Sequence, residues 1–89
     1  MNMTQQPLPV SPSTPHAVAM ALRLTIDTEQ EEDGRWIAEI PELPGVMAYG
    51  PTRSDAVAKV EALALRVLAE RIEHGETIAE PLEVSFVAA

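Results

Sequence analysis

The chain has 89 residues, enough for one domain with a modest core, and a domain this small often gains stability by self-association. It contains no cysteine, so disulfides and thiolate metal sites are excluded and apolar packing alone must hold the fold. Its formal net charge of −8, from fourteen carboxylates against six Lys and Arg, disfavours nucleic-acid binding and favours a basic partner.

The N-terminal segment differs in composition from the rest of the chain. Residues 1–22 contain no Asp, Glu, Lys or Arg, and four of the eight prolines lie among them. The segment lacks both the cationic start and the unbroken apolar core of a secretory signal. We therefore predict a flexible Pro-rich tail over 1–19, a folded domain over 20–89 and a cytoplasmic location. Met20, directly before the first regular pattern, is an alternative start of translation.

Alternating apolar and polar residues predict two strands, near 21–28 and 35–41. The turn Asp33-Gly34 between them is typical of a β-hairpin, and Pro41 ends the second strand because it has no N–H to donate. The side chains predicted to share the buried face are Leu22, Leu24, Ile26, Trp36, Ala38 and Ile40.

The segment PELPG, residues 41–45, predicts a rigid elbow, because its two prolines fix φ and Gly45 can adopt a positive φ. The short run VMAY after it predicts a third strand near 46–50, closed by Gly50-Pro51. A short strand in this position is expected at a sheet edge, where a partner strand can complete its backbone hydrogen bonds.

A helix is predicted near 53–74. Thr52 and Asp55 have the spacing of a capping box, in which the hydroxyl accepts from the first turn and the carboxylate reaches back. Apolar residues then recur at three- and four-residue steps as one broad stripe, and Gly75 has the position of a C-terminal cap. Alternation returns in LEVSFVA and predicts a last strand near 82–88.

These elements predict an α+β fold of order β-β-β-α-β, with one helix packed on one face of a small, mainly antiparallel sheet. Trp36, Ile40, Val84 and Phe86 are expected to be buried beneath the helix. A single helix covers only one face, and the opposite face would carry four apolar side chains, which indicates a contact with another chain. Those side chains are Ile37, Met47, Tyr49 and Val87.

The partner-interface residues predicted from the sequence are Glu31, Glu32, Asp33, Ile37, Met47, Tyr49, Leu65 and Ile72. The acidic turn has two interpretations, a solubilising loop or a group that steers a basic partner, and salt dependence separates them. Leu65 and Ile72 lie outside the helix stripe, where they either pack on the tail or last loop or meet another chain. We favour the sheet face and edge as the contact, and expect a homodimer or higher homo-oligomer and no membrane contact.

The residues suggest no enzyme and no cofactor. Asp27 and Glu39 lie on adjacent predicted strands, but ribonuclease H chemistry needs further carboxylates to hold two divalent ions, and a solvated sheet face explains these two. His16 lies in the tail and His74 at the helix end, where a cation offsets the helix dipole. Neither histidine has a partner at metal-ligand or triad spacing, so we assign no catalytic or metal site.

Over about residues 20–88 the chain follows a pattern of an acidic-Gly turn, an aromatic strand, Pro-acidic-Leu-Pro-Gly, a Gly-Asp/Pro-Thr turn, a helix opening with an acidic residue and Ala, and a Gly-x-x-Ile-Pro-x-Pro exit. In this pattern it resembles the N-terminal domain of the HicB antitoxins. Val46 departs from it, where the family often has Cys, as does Ala79, where it often has Pro. The matching residues are Asp33, Gly34, Trp36, Pro41, Glu42, Leu43, Pro44, Gly45, Gly50, Thr52, Asp55, Ala56, Gly75, Ile78 and Pro81.

The resemblance implies a partial ribonuclease-H-like fold and the role of antitoxin in a type II toxin–antitoxin pair, neutralising a small basic HicA-like ribonuclease. Larger members of the family add a C-terminal operator-binding module. This chain ends within about two residues of the last predicted strand, so no direct DNA binding is expected. The alternative function is a stand-alone, self-associating structural or regulatory module without a toxin partner.

Overall fold

A computed structural model describes residues 21–76 and 82–89, and these residues contain four strands and one helix in the predicted order. The elements are β1 (Leu22–Gln30), β2 (Trp36–Glu39), β3 (Met47–Gly50), α1 (Arg53–Glu73) and β4 (Val84–Ala88). The predicted α+β fold is therefore confirmed. The predicted tail over 1–19 lies outside the described residues, as do Met20 and the segment 77–81.

The four strands form one mixed sheet in the order β3-β2-β1-β4. β1 and β2 pair antiparallel, as do β2 and β3, whereas β4 runs parallel to β1. The turn between β1 and β2 contains Gly34 with φ of 92°, a conformation that favours glycine, and the Gly34 N–H donates to the Glu31 carbonyl. β3 is an edge strand, as predicted, and β4 forms the other edge.

The core lies between α1 and one face of the sheet. Leu24, Ile40 and Val60 are its largest fully buried side chains. The buried residues of α1 recur every four positions from Ala56 to Leu68, which is the predicted apolar stripe. Within the described ranges no polar or charged side chain is buried, so apolar packing holds the domain together.

Three of the four side chains expected beneath the helix are only half-buried. Ile40 is fully buried, but Trp36, Val84 and Phe86 pack against the core with part of their surface exposed. α1 contacts β3 and β2 most and β1 less. The outer strands of a four-stranded sheet lie about 14 Å apart, whereas a helix is only about 10 Å wide. Residues on β4 therefore lie at the margin of the covered area.

Both ends of α1 are capped by residues that the sequence predicted. At the start, the Thr52 hydroxyl accepts the Asp55 backbone N–H at 3.1 Å, which is one of the two bonds of the capping box. At the end, Gly75 has φ of 81° and donates to the Ile72 carbonyl, while the Glu76 N–H donates to the Arg71 carbonyl. This pair of bonds is a Schellman motif.

The end of β3 lies against the first turn of α1. A Cβ atom at Gly50 would lie 2.7 Å from the Ala56 backbone nitrogen and 2.9 Å from the Asp55 Cβ, closer than side chains and backbone can approach. Glycine at this position lets the first turn of the helix rest directly on the edge strand. The helix thus supports β3 from one side only.

In the described part of the chain, no helix combines the length and the hydropathy that a membrane span requires.

Replacing Val60 by Ala should lower the free energy of unfolding by about 1–3 kcal/mol, because it leaves a cavity at a fully buried position. Leu65→Ala on the same helix removes more atoms but should cost less, since Leu65 is 50% exposed. Urea unfolding of both variants measures the difference. A larger loss for Leu65→Ala would show that the buried stripe of α1 is assigned to the wrong side.

Candidate protein-binding face

The sheet face turned away from α1, called the open face, is the candidate binding surface. Strand pairing determines which side chains share it, because directly paired residues point to the same side of a sheet. The open face carries Arg23, Thr25, Asp27 and Glu29 of β1, Ile37 and Glu39 of β2, Met47 and Tyr49 of β3, and Ser85 and Val87 of β4. Three of the predicted contact residues therefore lie side by side on one surface.

Two rows of side chains cross the open face from β1 to the β3 edge. One row consists of Asp27, Glu39 and Met47, and the other of Glu29, Ile37 and Tyr49. Met47 and Tyr49 are 44% and 39% exposed, whereas Ile37 is half-buried between its neighbours. The apolar surface along β3 is thus bordered by carboxylates on the two inner strands.

Asp27 and Glu39 are direct cross-strand partners. Like charges in this arrangement destabilise a sheet slightly, and a cation placed between them would relieve the repulsion. Among the residues that the structure describes, no three His, Cys, Asp or Glu side chains gather closely enough to hold a metal ion. The pair offers a basic side chain a negative field on an open surface.

The hairpin between β1 and β2 holds one of the predicted acidic residues in local bonds. The Arg35 backbone N–H and Nε donate to the two Asp33 carboxylate oxygens at 3.0 and 2.8 Å, and these bonds, led by the backbone one, lower the pKa of Asp33. The Arg35 guanidinium also lies 4.6 Å from the centre of the Tyr49 ring, within cation–π range. Of the other two predicted acidic residues, Glu32 is exposed and Glu31 half-buried.

Sequence reasoning missed Arg35, which connects the hairpin to the open face. Arg35 precedes Ile37 by two positions, and Ile37 pairs with Tyr49, so the contact is a diagonal one across the ladder. Only the register of β2 on β3 reveals it. Arg35 therefore lies over the Tyr49 ring at the sheet edge.

Leu65 and Ile72, the other two predicted contact residues, do not join the open face. Both belong to α1 and each is 50% exposed. They are seven residues apart and so lie two turns apart on one side of the helix. The structure therefore places the predicted contacts in three regions: the hairpin turn, the open face and the exposed side of α1.

The elbow of residues 41–45 holds β3 in place. Its backbone closes on itself, because the Leu43 N–H donates to the Ile40 carbonyl and the Val46 N–H donates to the Leu43 carbonyl, each at 2.9 Å. Leu43 and Val46 are buried in the core, and Gly45 has φ of 88°. The elbow therefore fixes the direction in which the chain enters β3.

Glu42 joins the elbow to β1. Continuing the register of β1 on β2 would set Thr25 opposite Pro41, where the chain has already turned away. The Glu42 carboxylate accepts instead the Thr25 backbone N–H at 2.9 Å and the Thr25 hydroxyl at 2.6 Å. These bonds, led by the one from the hydroxyl, lower the pKa of Glu42.

No family model, curated protein or solved structure matches the chain.

Glu42→Gln should make the stability of the protein less sensitive to acid. The folded-state pKa of Glu42 is depressed, so its contribution is present above the unfolded carboxyl pKa of about 4.3 and is lost as the pH falls through the folded value. Thermal melting between about pH 5 and pH 3 should show a smaller loss for Glu42→Gln than for the wild type. Glu32→Gln, at the exposed hairpin turn, is the charge-matched control and should keep the wild-type slope. Identical slopes for all three proteins would contradict the role of Glu42.

Proposed function

We propose that the protein is an antitoxin-like inhibitor of a type II toxin–antitoxin pair, which binds and neutralises a small basic HicA-like ribonuclease. The observation that carries the proposal is the composition of the open face, where exposed Met47 and Tyr49 stand beside the carboxylates of Glu39, Asp27 and Glu29. Apolar contact provides affinity there, and the charges select a positively charged partner.

The charge of the whole chain supports the same kind of partner. A net charge of −8 draws a basic protein toward the complex and raises its association rate. A ribonuclease binds RNA through positively charged surface, which is the chemistry that the open face complements. The resemblance of the elbow and the capped helix to HicB antitoxins supports the assignment to this class. We further propose a cytoplasmic location, which suits a chain without cysteine.

A stand-alone module that only self-associates is the second candidate, and the exposure of Met47 and Tyr49 favours it as well. Such a module would use the apolar side chains and leave the carboxylates without a role. An adjacent reading frame that encodes a small basic protein, with one histidine in a strand context, favours the inhibitor. In either case we propose that the chain alone forms a homodimer.

The proposal is tested by co-expressing the chain with the basic protein from the adjacent reading frame. We expect the basic protein alone to arrest growth and cleave RNA, and the wild-type chain to restore growth. Glu39→Lys should weaken the rescue, because it reverses a charge in the middle of the open face. Glu70→Lys, an exposed charge reversal on α1, is the matched control and should rescue as the wild type does.

Two results would contradict the proposal. One is a basic neighbour that is harmless when expressed alone. The other is equal rescue by Glu39→Lys and by the wild type, since the open face would then play no part in recognition.

A further inference from the structure

Among the strands that the structure describes, none pairs with the backbone groups on the outer edge of β3. The Ile40 N–H donates to the Val46 carbonyl at 3.0 Å, so these two residues form a hydrogen-bonded pair of the antiparallel ladder. Such pairs recur at every second position, so Ala48 and Gly50 also direct their N–H and C=O groups to β2. Met47 and Tyr49 must therefore direct theirs away from the sheet.

These four outward groups lack bonds within residues 21–76 and 82–89, where no hydrogen bond to the N–H or C=O of Met47 or Tyr49 is found. The short length of β3 limits pairing at this edge, but Met47–Gly50 contains neither the charges nor the proline that would prevent it. Its backbone is consequently able to accept an added strand.

From this geometry we propose that β3 binds an extended, basic segment of the partner protein as a fifth strand of the sheet. The inference rests on the proposed function for the nature of the partner, and it specifies how that partner docks. Main-chain bonds to Met47 and Tyr49 would provide the pairing, and alternate side chains of the added strand would lie on the open face.

Charge decides which kind of strand fits this edge. An added strand lies about two strand spacings, roughly 10 Å, from β2. An extended Lys or Arg on it and the Glu39 side chain together span that distance, with the apolar stem of the cation lying across Met47. Asp27 on β1 is the next residue in the same row and adds to the negative field.

A second copy of this chain forms fewer of the possible interactions at the β3 edge than a basic strand does. Two β3 strands can pair through the same backbone groups, but Met47–Gly50 contains no cation, and the Arg35 that lies over Tyr49 is already paired with Asp33. A basic strand provides both the backbone pairing and the charge. It should therefore displace a homodimer that is paired through β3.

The length of β3 limits the affinity with which it can bind an added strand. β3 has four residues, and only Met47 and Tyr49 have outward backbone groups, so an isolated peptide gains few hydrogen bonds. Each such bond contributes modestly in water. We expect micromolar to millimolar affinity for a short peptide, and tighter binding for a folded protein that also covers Tyr49 and Ile37.

The test uses the full chain and a capped hexapeptide of alternating lysine and valine, with the glutamate–valine hexapeptide as the charge control. We expect saturable binding of the lysine peptide with a Kd below about 1 mM by NMR titration. The amide protons of Met47 and Tyr49 should become protected from exchange on binding, whereas those of Ala48 and Gly50 are already bonded to β2 and serve as internal references. The glutamate peptide should not bind.

Two substitutions separate backbone pairing from side-chain contact. Met47→Pro removes an outward N–H without breaking a bond to β2, so the domain should fold and lose peptide binding by at least about tenfold. Met47→Ala keeps that N–H and should lose less. Because the amide protection is measured on the wild type, a failure of Met47→Pro to fold leaves the inference testable.

This experiment contains no toxin, so it separates the docking mode from the proposed function. Peptide binding at Met47 and Tyr49 supports the inference even if the chain neutralises no ribonuclease. The inference is overturned by absence of binding, by equal binding of the glutamate peptide, by binding without protection of the Met47 and Tyr49 amides, or by a β3-paired homodimer that the lysine peptide cannot displace. In those cases any neutralisation must use another surface.

Discussion

A single helix packs on a sheet of four strands, and this mismatch determines what the rest of the structure leaves exposed. The side chains buried beneath α1 are all apolar, from Leu24 on β1 to Ala38 on β2, and no polar side chain is buried among the described residues. What it cannot reach is the opposite face of the sheet. Stability and surface chemistry are therefore divided between the two faces, and the division follows from the two-residue period of the strands.

The position of the edge strand β3 depends on Gly50 and on the elbow, which hold its two ends. β3 is only four residues long, yet Gly50 lets the helix rest on its end and the elbow fixes its beginning. Glu42 secures that elbow by accepting the N–H that β1 would otherwise leave without a strand partner. Because the chain turns away at Pro41, the Thr25 N–H has no partner on β2, and the Glu42 carboxylate accepts it instead. The elbow is a structural motif, and its consequence is a rigid, accessible edge.

Local patterns in the sequence predicted the elements, because alternation, capping and turn residues act over a few positions. The edge position of β3, the cap at Thr52 and the open-face side chains Ile37, Met47 and Tyr49 follow from such patterns. Contacts that depend on how strands align across the sheet could not be predicted in this way. The contact of Arg35 with Tyr49 and the bonds from Thr25 to Glu42 both need the register, and the half-burial of Phe86 needs the position of α1.

We propose that the open face and the β3 edge, and not the exposed side of α1, meet other chains. Sedimentation of the chain alone at micromolar concentration tests it with two matched substitutions, Met47→Asp on the sheet and Leu65→Asp on the helix, at positions of similar exposure. We expect a dimer for the wild type and for Leu65→Asp, and a monomer with unchanged helix content for Met47→Asp. A monomeric wild type, or a dimer that only Leu65→Asp dissociates, would contradict it.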